Sequence, residues 1–566
     1  MTLLSWALGQ AAKLRPAEQT DVTVERQLEA KMADGTVLVA DRWYSPATVR
    51  SAPVLLIRSP YGRQQFGLLG RLFAERGYQA VVQSVRGTFD SGGDFDPFRC
   101  ERDDGRATLA WIEEQPWFTG KAAMFGPSYM GLTQWAAVPD APPYLRALAI
   151  QIAASDVRNA AVYPGGSFSL ETGAFWVLQM EFQDKGLARY LWAMATSRKR
   201  LAPAYRTLPL RDADVTTFGH RISYYQEWLD HSAPGDPWWD GVDFSPYLAQ
   251  APPTSLVAGW FDLFLPSQID DFVRLRQAGR EARLTVGPWT HSGPGAIATS
   301  IRDTLEWFDL NLLGRPDRSG RDRVRLYVMG RERWVEASEW PPPSTPQKWH
   351  LGAGGGLSRR LEDDSGPDRY RYDPADPAPG LGGATLDVML AGSKNQRRRE
   401  GRPDVLVYTS DPLPEPVTIA GPVESEIWMR SSRPYFDVFV RLCDVDRSDR
   451  SRNVCDGILR VDPNTPGPDA DGVRRVPVRM SPTAMTFKRG HRLRVQVSSA
   501  AHPLFARNTG SGEPIGAASR LVPSDHEVFH GGPRPPMVSA IPPRWPPHSR
   551  MRPGSMFRWR RHGCSG

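Results

Sequence analysis

A mostly parallel α/β domain, split by a helical insertion and followed by a β-sandwich, is the fold class that the sequence predicts. Three observations carry it. Through the first third of the chain, short apolar runs alternate with segments of helical spacing, the pattern of a parallel sheet covered on both faces. From about 155 to 245 only helix-like, aromatic-rich segments occur. Beyond about 320 the helical spacing stops, and short strand-like runs separated by Pro and Gly clusters take over.

Taken in order, residues 53–58 form a nearly continuous apolar run, as a strand buried on both faces requires. Residues 67–76 have helical spacing and stop at Gly77. Strand is expected again at 78–85. A helix is expected over 103–114, with acidic residues in its first turn and Pro116 beyond its end. Strand, helix and strand follow at 122–125, 129–138 and 145–152. In the insertion, 175–182, 188–198 and 224–231 read as helices. The α/β rhythm returns with strands at 255–259 and 282–286 and a helix at 301–313. Strand-like runs at 324–329, 404–409, 424–429, 437–442 and 492–497 then define the β region. The division expected from this is an α/β domain in two parts, 22–154 and 246–320, a helical cap over 155–245 and a β-sandwich over 321–541. A disordered basic tail over 542–566 completes it, since Pro and Arg dominate there without apolar periodicity.

With 566 residues, 40% hydrophobic and 23% charged, the chain has the composition of a soluble globular protein. Its 19 Trp suit large cores as well as aromatic-lined pockets. The formal charge of +7 raises the question of nucleic acid. The excess sits in the run 394–402 and in the tail, without a nucleic-acid-binding motif, and is read as solvated charge. Cys100, Cys443, Cys455 and Cys564 form neither a CxxC nor a zinc-spaced cluster, so no metal is expected, a reducing compartment is favoured, and one Cys443–Cys455 bridge stays open. The N-terminal residues lack the basic start of a secretory signal, and no apolar run is long enough to span a bilayer. A cytoplasmic chain, without membrane or nucleic-acid partners, is expected; a homo-oligomer is left open.

Chemistry concentrates in Met124-Phe-Gly-Pro-Ser-Tyr-Met-Gly131. A strand runs into Ser128 and a helix begins at once, which places the serine on a sharp turn with a helix N-terminus behind it. The second glycine falls at 131, one position later than in G-x-S-x-G. A serine nucleophile of this kind is followed in the chain by an acid and then a histidine. Val257-Ala-Gly-Trp-Phe-Asp262 ends a strand on Asp262, and Val286-Gly-Pro-Trp-Thr-His291 ends the next on His291. Parallel strands present such terminal residues at the carboxyl edge of their sheet. Of ten histidines, only His291 combines this position with this order.

These segments, with Arg58-Ser-Pro-Tyr61-Gly, Arg86-Gly-Thr-Phe-Asp-Ser91-Gly-Gly and Glu114-Gln-Pro-Trp117, closely resemble the cocaine esterase/X-Pro dipeptidyl-peptidase group of serine hydrolases. The resemblance extends to Asp404-Val-Leu-Val-Tyr-Thr-Ser410 and Arg492-Leu-Arg-Val-Gln-Val-Ser-Ser499, and so covers about 22–541. It implies an α/β-hydrolase core, a helical cap and a C-terminal jelly-roll-like domain. It also implies that the Tyr61 hydroxyl and the Tyr129 backbone N–H form the oxyanion hole. From the residues alone, Tyr61 after Pro60 reads as a packed loop aromatic, and the loop 86–93 reads as structural. The expected reaction is acyl transfer by Ser128, His291 and Asp262 on an ester, an amide or a short peptide, without cofactor. Ester hydrolysis is the first expectation; X-Pro peptide cleavage and acylase or α-amino ester chemistry are the alternatives, as is an inactive scaffold used for binding. An aminopeptidase would need carboxylates for the substrate amine, and Glu171, Glu181 and Asp184 are the candidates in the cap.

Overall fold

The computed structural model describes residues 2–540, apart from 318–319, 344, 362–365, 464–466 and 532–533. The tail expected over 542–566 therefore lies outside the described residues, as does Cys564. Ten strands build the first sheet. They are β1 (Thr23–Lys31), β2 (Val37–Tyr44), β3 (Val54–Ser59), β4 (Gln79–Ser84), β5 (Ala122–Pro127), β6 (Leu145–Gln151), β7 (Thr254–Phe261), β8 (Ala282–Thr290), β9 (Val324–Val328) and β10 (Arg333–Ala337). Their spatial order is β1-β2-β4-β3-β5-β6-β7-β8-β9-β10. From β4 to β9 all neighbours run parallel, and antiparallel pairs occur only at the two edges. Every residue of β3, β4 and β7 is buried, as strands covered on both faces require, and polar residues at their ends, such as Arg58 and Gln83, are buried with the apolar ones.

Apart from a single short turn of helix at Arg397–Glu400 in the β region, the α-helices divide between this sheet and the cap. The first, α1 (Leu3–Ala11), precedes the region covered by the expected pattern and packs through Ser5, whose hydroxyl donates to Glu75. Then come α2 (Gly67–Ala74), α3 (Glu101–Glu113) and α4 (Tyr129–Ala136). The cap contains α5 (Leu170–Phe182), α6 (Leu187–Ala195), α7 (Ser197–Arg206), α8 (Ala213–Phe218) and α9 (Ser223–Asp230). Next, α10 (Leu265–Gln277) and α11 (Pro294–Asn311) return to the sheet. The residues of the sheet and cap share one hydrophobic cluster, so the cap is no separate lobe. Among the described residues, no helix is long and apolar enough to cross a membrane.

The second sheet has its own core and is built from β-strands of the C-terminal region. Its long strand Val417–Ser431 alternates buried and more exposed residues over much of its length, the signature of one covered face. The structure differs from the sequence reading at β9 and in the basic run 394–402, and it closes the open alternative of a Cys443–Cys455 bridge. The run 324–329 was expected in the β region, but β9 pairs in parallel with β8 and extends the first sheet. Periodicity reports a strand; it does not say which sheet the strand joins. Cys443 and Cys455 are buried free thiols, not a bridge, in a hairpin where Cys443 faces Asn453 and Cys455 faces Leu442. The basic run 394–402 is not uniformly solvated: Arg399 is fully buried, donating to Gln496, Pro379 O and Ala500 O.

Candidate active site

The strand-to-helix turn between β5 and α4 holds Ser128 at φ 58° and ψ −125°, a conformation a side-chain-bearing residue adopts only when its surroundings enforce it. The neighbouring glycines explain how. A Cβ on Gly126 would lie 2.3 Å from Met130 Cβ, and one on Gly131 would lie 2.4 Å from Ala153 Cβ. The second glycine thus stands at 131 because that is where α4 presses against the chain leaving β6. The Ser128 N–H donates to Gln151 O at 2.9 Å, tying the turn to β6.

Asp262 and His291 follow β7 and β8, two and three strands from β5 along the same parallel edge. The parallel register brings all three together. Ser128 Oγ lies 3.0 Å from His291 Nε2, and His291 Nδ1 lies 2.6 Å from Asp262 Oδ2. Asp262 is buried, and its other oxygen accepts the Phe264 N–H at 2.8 Å, which fixes the carboxylate plane. A carboxylate on Nδ1 selects the tautomer that carries its proton there, leaving the Nε2 lone pair facing the serine.

Tyr61, just beyond β3, faces the same point. Its phenol oxygen accepts the Trp176 Nε1–H at 3.3 Å, which leaves the phenolic proton for another acceptor. Burial pushes the Tyr61 phenol pKa up, and hydrogen bonds to Trp176 and Ser128 oppose the shift, so the group stays a protonated donor. Tyr129 is the first residue of α4, where a backbone N–H has no acceptor within its helix. Its side chain turns into the core, donating to Glu101 Oε1 at 2.8 Å and accepting the Phe98 N–H at 3.0 Å.

Beneath the serine turn, Glu101 also meets Arg58 at 2.6 Å, with both side chains buried. Burial pushes the Glu101 carboxyl up, while the Arg58 charge and the Tyr129 hydroxyl pull it back. Glu101→Ala would leave Arg58 charged and buried without its closest counter-ion. The expected cost is about 3–5 kcal/mol of stability, read from urea denaturation. The loop 86–93 is likewise structural: Arg86 pairs with Asp104 and Asp34, and Ser91 donates to Ser84 O.

Two cavities meet at Ser128. The first, on the cap side, is walled by Phe98, Tyr129, Phe168, Trp176, Trp228 and Phe264 among others. The second, of about 320 Å³, is walled by Phe66, Phe125, Phe175 and Ile297 and includes His291. Tyr61, Ser128, Trp176 and Leu386 border both. The sequence singled out neither Trp176 nor Leu386, and only Trp176 carried any signal, as an aromatic in a cap segment.

The cap carboxylates do not line either cavity. Glu171 is buried, where its oxygens accept from the Thr385 hydroxyl and from the Asp387 N–H at 3.3 Å. Burial and the nearby Asp387 charge raise its pKa to about 8. Glu181 is near Lys185 and His220, and Asp184 is exposed. The described residues contain no group of His, Cys, Asp and Glu suited to a metal ion.

Comparison with known proteins places the chain in a family. Residues 34–293 match the family model of X-Pro dipeptidyl-peptidase (S15 family), and residues 319–538 match that of the X-Pro dipeptidyl-peptidase C-terminal non-catalytic domain. The cocaine esterase of Rhodococcus sp. (strain MB1 Bresler) is 32% identical over 92% of this chain and 98% of its own length. An α-amino acid ester hydrolase structure superposes with a TM-score of 0.79 at 22% identity, covering 94% of this chain and 98% of that one. An aminopeptidase from the marine sediment archaeon Thaumarchaeota archaeon gives 0.75 at 20% identity, covering 92% and 96%. The α/β core, the cap and the C-terminal β domain are thus those of a known architecture, and the chain belongs to the cocaine esterase/X-Pro dipeptidyl-peptidase family of serine hydrolases.

Proposed function

We propose that the protein is a carboxylesterase acting through an acyl-enzyme on Ser128, with His291 as general base and Asp262 as the group that orients it. The observation that carries this is the hydrogen-bonded line from Ser128 through His291 to Asp262, opening between two apolar cavities. Ser128 Oγ attacks the carbonyl carbon while His291 Nε2 takes its proton. The Tyr61 hydroxyl and the Tyr129 N–H donate to the oxyanion that forms. The bond to the leaving oxygen then breaks, and His291 returns its proton to that oxygen. A water molecule, deprotonated by the same nitrogen, attacks the acyl carbon and frees the acid and Ser128.

The walls suggest which part of the substrate goes where. His291 must reach the leaving oxygen, so the alcohol occupies the cavity that His291 lines, and the acyl group occupies the one walled by Phe98, Trp228 and Phe264. Both walls are apolar, which favours uncharged acyl and alcohol groups. An X-Pro peptidase or α-amino ester hydrolase would need a carboxylate near the acyl group, and Glu171 is engaged elsewhere. The test compares nitrophenyl butanoate with an X-Pro dipeptide anilide on the full chain. Ester turnover without anilide cleavage is expected; preferential anilide cleavage would move the assignment to a peptidase. Tyr61→Phe removes one oxyanion donor, and kcat on the ester should fall by about 10²–10³-fold. An unchanged kcat would assign the phenol to packing.

A further inference from the structure

We infer that Glu171 is a positioning residue for substrate selection: from the cap it grips a strap of the C-terminal β domain and so sets Leu386 as the shared wall of both active-site cavities. The strap runs from Gly383 to Gly392, and its base is closed by two backbone hydrogen bonds between those glycines, each 2.9 Å. Arg441, fully buried in the β domain, holds the chain leading into it by donating to Leu381 O and Gly382 O. A side chain at Gly383 would meet Asp456 Oδ2 at 2.9 Å, so the base admits little else.

Beyond that base, Thr385 and Asp387 turn to Glu171 and flank Leu386, which faces the cavities. Asp387 also closes the following turn by accepting the Met389 N–H at 2.9 Å. Val388 and Met389 are exposed, so what packs against the strap lies on its Thr385–Asp387 side. Glu171 stands on α5, the helix that also carries Trp176, whose indole donates to Tyr61. One helix therefore holds both the oxyanion-side tyrosine and the strap. No substrate atom need touch Glu171, because its effect passes through Leu386.

This inference rests on the esterase reading, since it supposes that the cavities bind the two halves of an ester. A missing methylene contact in an apolar pocket changes discrimination by about 10–200-fold. With Leu386 in place, butanoyl esters are expected to exceed acetyl esters in kcat/KM. In Glu171→Ala that ratio should fall about tenfold, while kcat on the acetyl ester stays within about twofold, because Ser128, His291 and Tyr61 are untouched. Glu171→Gln keeps an oxygen to accept from the Asp387 N–H and an amide to meet the Thr385 hydroxyl, so it should retain the wild-type ratio. Leu386→Ala should reproduce the Glu171→Ala ratio, and the double variant should add nothing further.

If Glu171→Ala does not fold, Thr385→Val cuts one of the same bonds and should move the ratio in the same direction. An unchanged ratio in folded Glu171→Ala or Thr385→Val, with or without a lowered melting temperature, would overturn the inference and leave Glu171 a structural residue. Loss of all ester turnover in wild type would instead overturn the esterase reading, so the two failures are separable.

Discussion

Ser128→Ala is expected to reduce ester turnover by about 10⁶-fold in kcat, the scale on which removal of a nucleophile silences a serine hydrolase. The side chain lost is small and sits at a cavity mouth, so the fold should be retained. The φ of 58° at this position is imposed by Gly126, Met130 and the bond to Gln151, none of which depends on the hydroxyl. Steady-state kinetics on nitrophenyl butanoate, with a thermal melt as control, would check this. A melting temperature near that of wild type with turnover gone is the expected pair of results. Turnover surviving within tenfold would mean that another residue carries the acyl group.

Asp262→Asn is expected to lower kcat by about 10⁴-fold while leaving the backbone in place. Asn can keep an oxygen toward the Phe264 N–H, which now bonds Asp262 Oδ1 at 2.8 Å. Its NH₂ would then face His291 Nδ1, where a carboxylate oxygen stands at 2.6 Å. A donor in that position favours the tautomer with the proton on Nε2, which cannot accept from Ser128. The imidazolium formed on attack would also lose its counter-ion. Single-turnover acylation rates measure the effect, and a loss below about tenfold would assign Asp262 to packing alone.

The convergence of Ser128, Asp262 and His291 was legible because each stands at the end of a strand, and a parallel sheet brings strand ends to one edge. Local pattern sufficed there. It did not suffice for contacts made across the chain. Arg58 lies in a segment that stands out in the sequence, but its partner Glu101 is 43 residues away and acquires its role only when α3 packs beneath the serine turn. Leu386 reaches the cavities from the second sheet, through a strap whose sequence carries no catalytic pattern. In the sequence Glu171 reads either as an amine-binding carboxylate of the cap or as surface charge, the usual state of a glutamate, and it is neither. Its burial comes from the fit of α5 against the β domain, which no helical period encodes. The same limit applies to Arg399 and to β9, whose surroundings are set by distant chain.

The most direct measurement is to label the full chain with a fluorophosphonate, digest it and locate the adduct by mass spectrometry, with Ser128→Ala treated in parallel. One adduct per chain on Ser128, formed in proportion to the loss of ester turnover and absent from Ser128→Ala, is the predicted result. An adduct on another residue, or full ester turnover with Ser128 unlabelled, would contradict the account.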